Sequence, residues 1–363
     1  MPNIIDYLNW RGDLSFKQSK LNEVDKIILA RFSNIPFSEI ELQEKDTIEN
    51  IAIKMSKLND KSFIWSGDKE FANAIGKTKR FRELIVTDYV ENKDLVAEKQ
   101  FAAVTIWLPN KVKYISYRGT DTSLVGWKED FNMTFMKDIP AQKEALNYLN
   151  KIAKKYREKL IVGGHSKGGN IAIYASMHCK DKFKKRILEI INADGPGFNE
   201  KVIKSREYLQ ISERINTYIP QSSIIGRLLE HEENYEIVFS TQKGILQHDM
   251  YSWQVDGVKL ARIPQLTNNS QFINKVVRNW LQKTTLKQRE NFVNIIYDIL
   301  ITTEATDFTD FETNTLKKIA KVIKSYRNIE KEERKEIEEM IKLLFQSIVT
   351  SLKNKNGIEE NIT

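Results

Sequence analysis

The stretch Leu160-Ile161-Val162-Gly163-Gly164-His165-Ser166-Lys167-Gly168-Gly169-Asn170 decides how the chain is read. A short apolar run ends at Val162, small residues follow, and Ile171-Ala172-Ile173-Tyr174-Ala175 reads as a buried helix. Strand, tight turn and helix together are the setting in which Gly-x-Ser-x-Gly forms a nucleophile elbow. Glycines on both sides of Ser166 let the chain turn sharply, lift the hydroxyl clear and bring a helix close behind it.

Strand-like and helical segments alternate on both sides of this stretch. Glu83 to Val90, Phe101 to Leu108 and Lys111 to Tyr117 are rich in β-branched and aromatic residues, and Pro109-Asn110 predicts a hairpin between the last two. An amphipathic helix is expected over Ala141 to Tyr156, then the elbow, with its helix running to about Cys179. Arg186 to Ile191, Arg214 to Ile219 and Tyr235 to Phe239 follow as strands. The alternation predicts an α/β fold with a mostly parallel sheet flanked by helices. Residues 1 to 80 read as a helical N-terminal flank, with helices from Asn22 toward Pro36 and from Asp46 to Leu58. The α/β core spans 81–262, and 263–363 form a helical C-terminal region.

Hydrophobic residues make up 41% of the 363 residues, enough for a sizeable core. The single cysteine, Cys179, excludes an intramolecular disulfide and suits a reducing compartment. No basic-then-apolar leader opens the sequence, and no run reaches the roughly 18 apolar residues of a membrane span. A soluble, cytoplasmic protein is expected. The net charge of +8 comes from 57 basic and 49 acidic residues that are largely interleaved. It reads as a solvated lysine-rich surface and does not point to nucleic acid.

Ser166 needs a base, a group that orients the base, and donors for an oxyanion. The four histidines are His165, His178, His231 and His248. His165 lies inside the turn and His178 toward the far end of the following helix, so the base is His248 or His231. His248 is favoured because Leu246-Gln247-His248-Asp249 reads as a loop at a strand end, whereas Leu228 to Glu233 reads as a polar, helix-like surface stretch. Asp194, at the C-terminal end of the strand after the elbow helix, is the favoured acid, although an aspartate before glycine is also a common turn residue. Asp249, Glu230 and Glu232 are alternatives. No cofactor and no metal are called for.

Together, Tyr117-Arg118-Gly119-Thr120-Asp121, Trp127, Asp130 and Gly164-His165-Ser166-Lys167-Gly168-Gly169 resemble the class 3 (fungal-type) lipases of the α/β-hydrolase fold. The chain more closely resembles the bacterial Mbeg1-like family (DUF2974), grouped with those hydrolases. That likeness adds Asn9-Trp10-Arg11-Gly12-Asp13-Leu14, Asp194-Gly195-Pro196-Gly197-Phe198, Pro220 to Gly226 and Gln247-His248-Asp249, and covers most of residues 1–262. It implies a serine hydrolase cleaving lipid or other acyl esters, with Thr120 and the Lys167 backbone amide as the oxyanion hole. It also matches Asp121 to Phe131 to the lipase lid; an ordinary helical connection with a core tryptophan is the equal alternative. Where class 3 lipases carry their acid, before a hydrophobic-hydrophobic-proline step, this chain has Thr217. A second function therefore stands beside the first: a weak or inactive hydrolase-like scaffold, binding a protein partner or the periphery of a membrane through its C-terminal helices.

Overall fold

Eight strands form the main sheet of the computed structural model: β1 Lys45–Thr47, β2 Ile85–Asp94, β3 Lys99–Leu108, β4 Val112–Tyr117, β5 Lys159–His165, β6 Ile187–Ala193, β7 Ile215–Pro220 and β8 Tyr235–Val238. They lie side by side in chain order. β1 with β2 and β3 with β4 are antiparallel, while every step from β4 to β8 is parallel. A small antiparallel pair, β9 Val255–Asp256 and β10 Lys259–Leu260, stands apart from it. The structure describes residues 1–121, 123–303 and 315–359, with the side chains of 315–316 and 352–359 left aside.

Helices in chain order are α1 Ile4–Arg11, α2 Glu23–Phe32, α3 Ile48–Ser56, α4 Asp68–Lys77, α5 Leu124–Asn132, α6 Pro140–Lys155 and α7 Lys167–His178. Three single turns, α8 Asp181–Lys184, α9 Glu200–Ile203 and α10 Arg206–Leu209, precede the long helices α11 Asn268–Lys283, α12 Leu286–Ile301, α13 Thr315–Asn328 and α14 Lys331–Glu359. Among the described residues, no helix is long and apolar enough to cross a membrane.

Successive residues of a strand face opposite sides of its sheet. On β4, the Tyr114 and Ser116 hydroxyls donate to the Lys26 and Leu29 carbonyls of α2, and the Tyr117 hydroxyl donates to Ala145 of α6. Both faces are thus covered, which is why the centre of β5, Leu160 to Gly164, reads as an unbroken run without a polar side chain. With the elbow described below, this is the α/β-hydrolase fold.

The chain divides into two compact units. The first holds residues 1–93, 101–119 and 141–267, so the N-terminal helices belong with the sheet. The second holds 94–100, 120–140 and 268–363. Here α5 packs on α12, with the Lys128 ammonium 4.4 Å from the centre of the Tyr297 ring.

Some local expectations change. The helix expected from Asp46 begins at Ile48, because Thr47 caps it by accepting the Asn50 amide at 3.1 Å while Asp46 pairs in β1. The stretch around His231 is not helical. Its Glu230 forms a bridge with Phe198, and the His231 side chain is 5% exposed instead of lying on the surface.

Candidate active site

Ser166 follows the last residue of β5 and stands just before α7 without capping it through its side chain, at φ 57° and ψ −132°. An L-residue is strained there, and anchored neighbours hold it. Its amide donates to Ala193 at 2.9 Å, and its carbonyl accepts the Gly169 amide at 2.9 Å. The turn also needs bare backbone. A Cβ on Gly164 would fall 2.5 Å from the Gly168 carbonyl carbon, and one on Gly168 would fall 2.2 Å from the Tyr117 oxygen. The two flanking glycines therefore serve close approach. In β4's exit loop, a Cβ on Gly119 would meet the Ser166 Cβ at 3.2 Å.

His165 pairs with Ala193 in the parallel β5–β6 ladder, so Ser166 and Asp194 leave the sheet from adjacent strand ends. Asp194 has φ 50° and is buried. Its Oδ1 accepts the Ser223 hydroxyl at 2.5 Å and the Gly226 amide at 3.1 Å. Its Oδ2 lies 2.6 Å from His248 Nδ1. A carboxylate accepting from Nδ1–H holds the neutral ring in the tautomer whose Nε2 is a base.

His248 closes a short 3-10 turn, Gly244–His248. The turn is tied on both sides: Trp253 Nε1 donates to the Gln247 carbonyl at 2.8 Å, and the Ser252 hydroxyl to that of Asp249 at 2.6 Å. His165 Nε2 reaches the His248 carbonyl at 2.8 Å, and the two rings stack at 4.4 Å with a 34° tilt. Burial, then the neighbouring His248 and Arg31, push the His165 pKa well below its ordinary value. Tyr251, one turn further on, is fixed from below. Its hydroxyl donates to Asp68 at 2.7 Å and accepts from Arg31 Nε at 3.2 Å, and Arg31 pairs with Asp68, both fully buried.

The structure therefore brings together His248 and Asp194, with Ser166 next to the histidine that stacks on His248. Lys167 opens α7, and its side chain is buried as well. Thr120 belongs to the second unit, where its hydroxyl lies 2.7 Å from both carboxylate oxygens of Asp130. Asp249 accepts the Tyr251 amide at 3.0 Å, a local turn role.

A second histidine–carboxylate pair lies in the same unit. His231 Nδ1 sits 3.0 Å from Glu233 Oε1, which also accepts the Thr217 hydroxyl at 2.6 Å, and Tyr208 donates to Oε2. Burial opposes ionisation of Glu233, but these partners outweigh it and hold its pKa below the usual value. The carboxylate absent at position 217 is thus supplied beside it by Glu233. From Thr217 the network continues through Asn192, at 3.3 Å, to the Gly195 amide, at 3.0 Å, bracing the turn that carries Asp194. Sequence reasoning missed this cluster; the only hint was a hydroxyl residue at the position of an expected acid.

The Mbeg1-like family model matches residues 75–298, more than half of the chain. The chain belongs to the Mbeg1-like family. No curated protein matches it. Solved structures similar to this Mbeg1-like chain include the native lipase–propeptide complex of Rhizomucor miehei, at 15% identity over 49% of this chain and 69% of that one, TM-score 0.35. The lipase of Rhizopus microsporus var. chinensis is 15% identical over 66% of this chain and 88% of its own, TM-score 0.34.

Proposed function

We propose that the protein is a serine ester hydrolase acting on lipid or other acyl esters. His248 Nε2 takes the proton of the Ser166 hydroxyl as its oxygen attacks the ester carbonyl carbon. Asp194 holds the ring and favours the imidazolium that forms. The Lys167 amide, at the positive end of α7, is one oxyanion donor, and Thr120 is the second by resemblance to class 3 lipases. Such donors contribute about 10²–10³ in rate each. His248 then gives the proton to the departing alcohol, and water, activated by the same base, releases the acid and restores Ser166.

The observation that carries this reading is the 2.6 Å contact of His248 Nδ1 with the buried Asp194, which follows β6 as Ser166 follows the adjacent β5. A fluorophosphonate probe tests it. It is expected to label the wild type and spare Ser166→Ala, with turnover measured over a ladder of ester chain lengths. No labelling of the folded wild type would leave the scaffold reading in its place.

A further inference from the structure

The second unit carries chemistry that ester hydrolysis does not use. Within α13 stand Lys317, Lys318, Lys321, Lys324 and Arg327, and no acidic residue. Its Val322 and Tyr326 pack with Ile295, Ile299 and Ile337, which anchors one side of the helix. Ile319 and Ile323, one turn apart, are each 46% exposed, and Arg327 follows Ile323 by another turn. After two linking residues, α14 adds Ile341, Leu344, Phe345 and Val349, exposed at helical spacing, with Phe345 at 63%.

We propose that the α13–α14 hairpin docks on an anionic lipid bilayer. Charge decides the occupant. A basic helix with an apolar flank lies in the plane of a membrane interface, with its lysines among anionic headgroups. A two-fold pairing of this face would bring two basic α13 helices into one interface, and Glu332, Glu333, Glu336, Glu338 and Glu339 of α14 all precede its apolar stripe. A nucleic acid would use the lysines but leave the apolar stripe of α14 in water. The proposal stands independently of the hydrolase reading.

The test is flotation of the full chain carrying Ser166→Ala, so that no vesicle lipid is consumed. Vesicles are phosphatidylcholine alone or with added phosphatidylglycerol. Binding is expected only with phosphatidylglycerol and is expected to weaken at high salt. Lys317→Gln with Lys324→Gln should lower it about 25-fold, about fivefold per lysine, and Phe345→Asp should abolish it. Equal binding to both vesicles, or to neither, overturns the proposal. So does a dimer, seen by light scattering, that Phe345→Asp dissociates. In the Ser166 background these exchanges should leave turnover of a soluble short-chain ester unchanged; a parallel loss would place the hairpin in the catalytic machinery and overturn it. Binding without any ester turnover would sink the hydrolase reading alone.

Discussion

His165 Nε2 holds the backbone carbonyl of His248 at 2.8 Å while the two imidazoles stack at 4.4 Å. The residue before the proposed nucleophile, Ser166, thus grips the residue proposed as its base, so a single turn would set both partners of the proposed proton transfer.

His165→Phe keeps a flat ring against His248 but removes the donor. Turnover of a soluble ester is expected to fall by about 10²-fold through misplacement of the base. Urea melts should show a loss of about 1–3 kcal/mol for the stranded carbonyl. A kcat within threefold of wild type would show that the grip is unimportant.

His165 also predicts a pH dependence of stability. Its native pKa lies well below its ordinary value, whereas the unfolded chain takes up this proton near pH ~6.5. Protons then bind the unfolded state preferentially, so this contribution is fully present above pH ~6.5 and declines as pH falls toward the native pKa. Urea midpoints at neutral and mildly acidic pH should fall for the wild type, and the slope should be smaller in His165→Phe.

Asp194→Ala removes the partner of His248 and the acceptor of Ser223 and Gly226. Loss of the orienting carboxylate costs about 10⁴ in kcat in the best-studied serine hydrolase triad, and a drop of that order is expected here. Intact turnover would mean that another group orients His248.

Gly226→Ala approaches the same carboxylate from the other side. The added Cβ would fall 2.3 Å from Asp194 Oδ1, so either the carboxylate or its loop must shift. Fluorophosphonate labelling should slow at least tenfold while the far-UV spectrum stays native.

Asp68→Ala strands the fully buried Arg31. Breaking such a pair costs about 3–5 kcal/mol. A denaturant titration should show this loss, and ester turnover should fall with it because Tyr251 loses an anchor close to His248.

The elbow is legible because its signal is local. Glycines at fixed spacing, an apolar run before and a buried helix after lie within the sixteen residues from Leu160 to Ala175. Asp194 and His248 are readable more loosely, as strand-end residues. The Arg31–Asp68 contact is not readable, because it joins two helices, α2 and α4, that are brought together only by the folded chain. Other misses had signals. Asn3 and Asp6 form a capping box for α1, and Phe71, Ala72 and Ile75 mark the buried side of α4. The carboxylate missing at position 217 is a different case: its replacement comes from residue 233, and only the pairing of β7 with β8 brings that segment alongside.

The chain enters its second unit three times, at residues 94–100, 120–140 and 268–363, and only the last visit is terminal. Helix α5, inserted between β4 and α6, packs on α12, and Arg289 on α12 donates to the Thr134 carbonyl just after α5. The helical unit is therefore woven through the chain and not appended to it. A stop codon after Thr267 would leave α5 with its packing surface bare, so a shortened gene product should be prone to aggregate. A single-chain cut cannot separate the two units; a clean excision would need the 94–100 and 120–140 excursions replaced by short linkers at the same time.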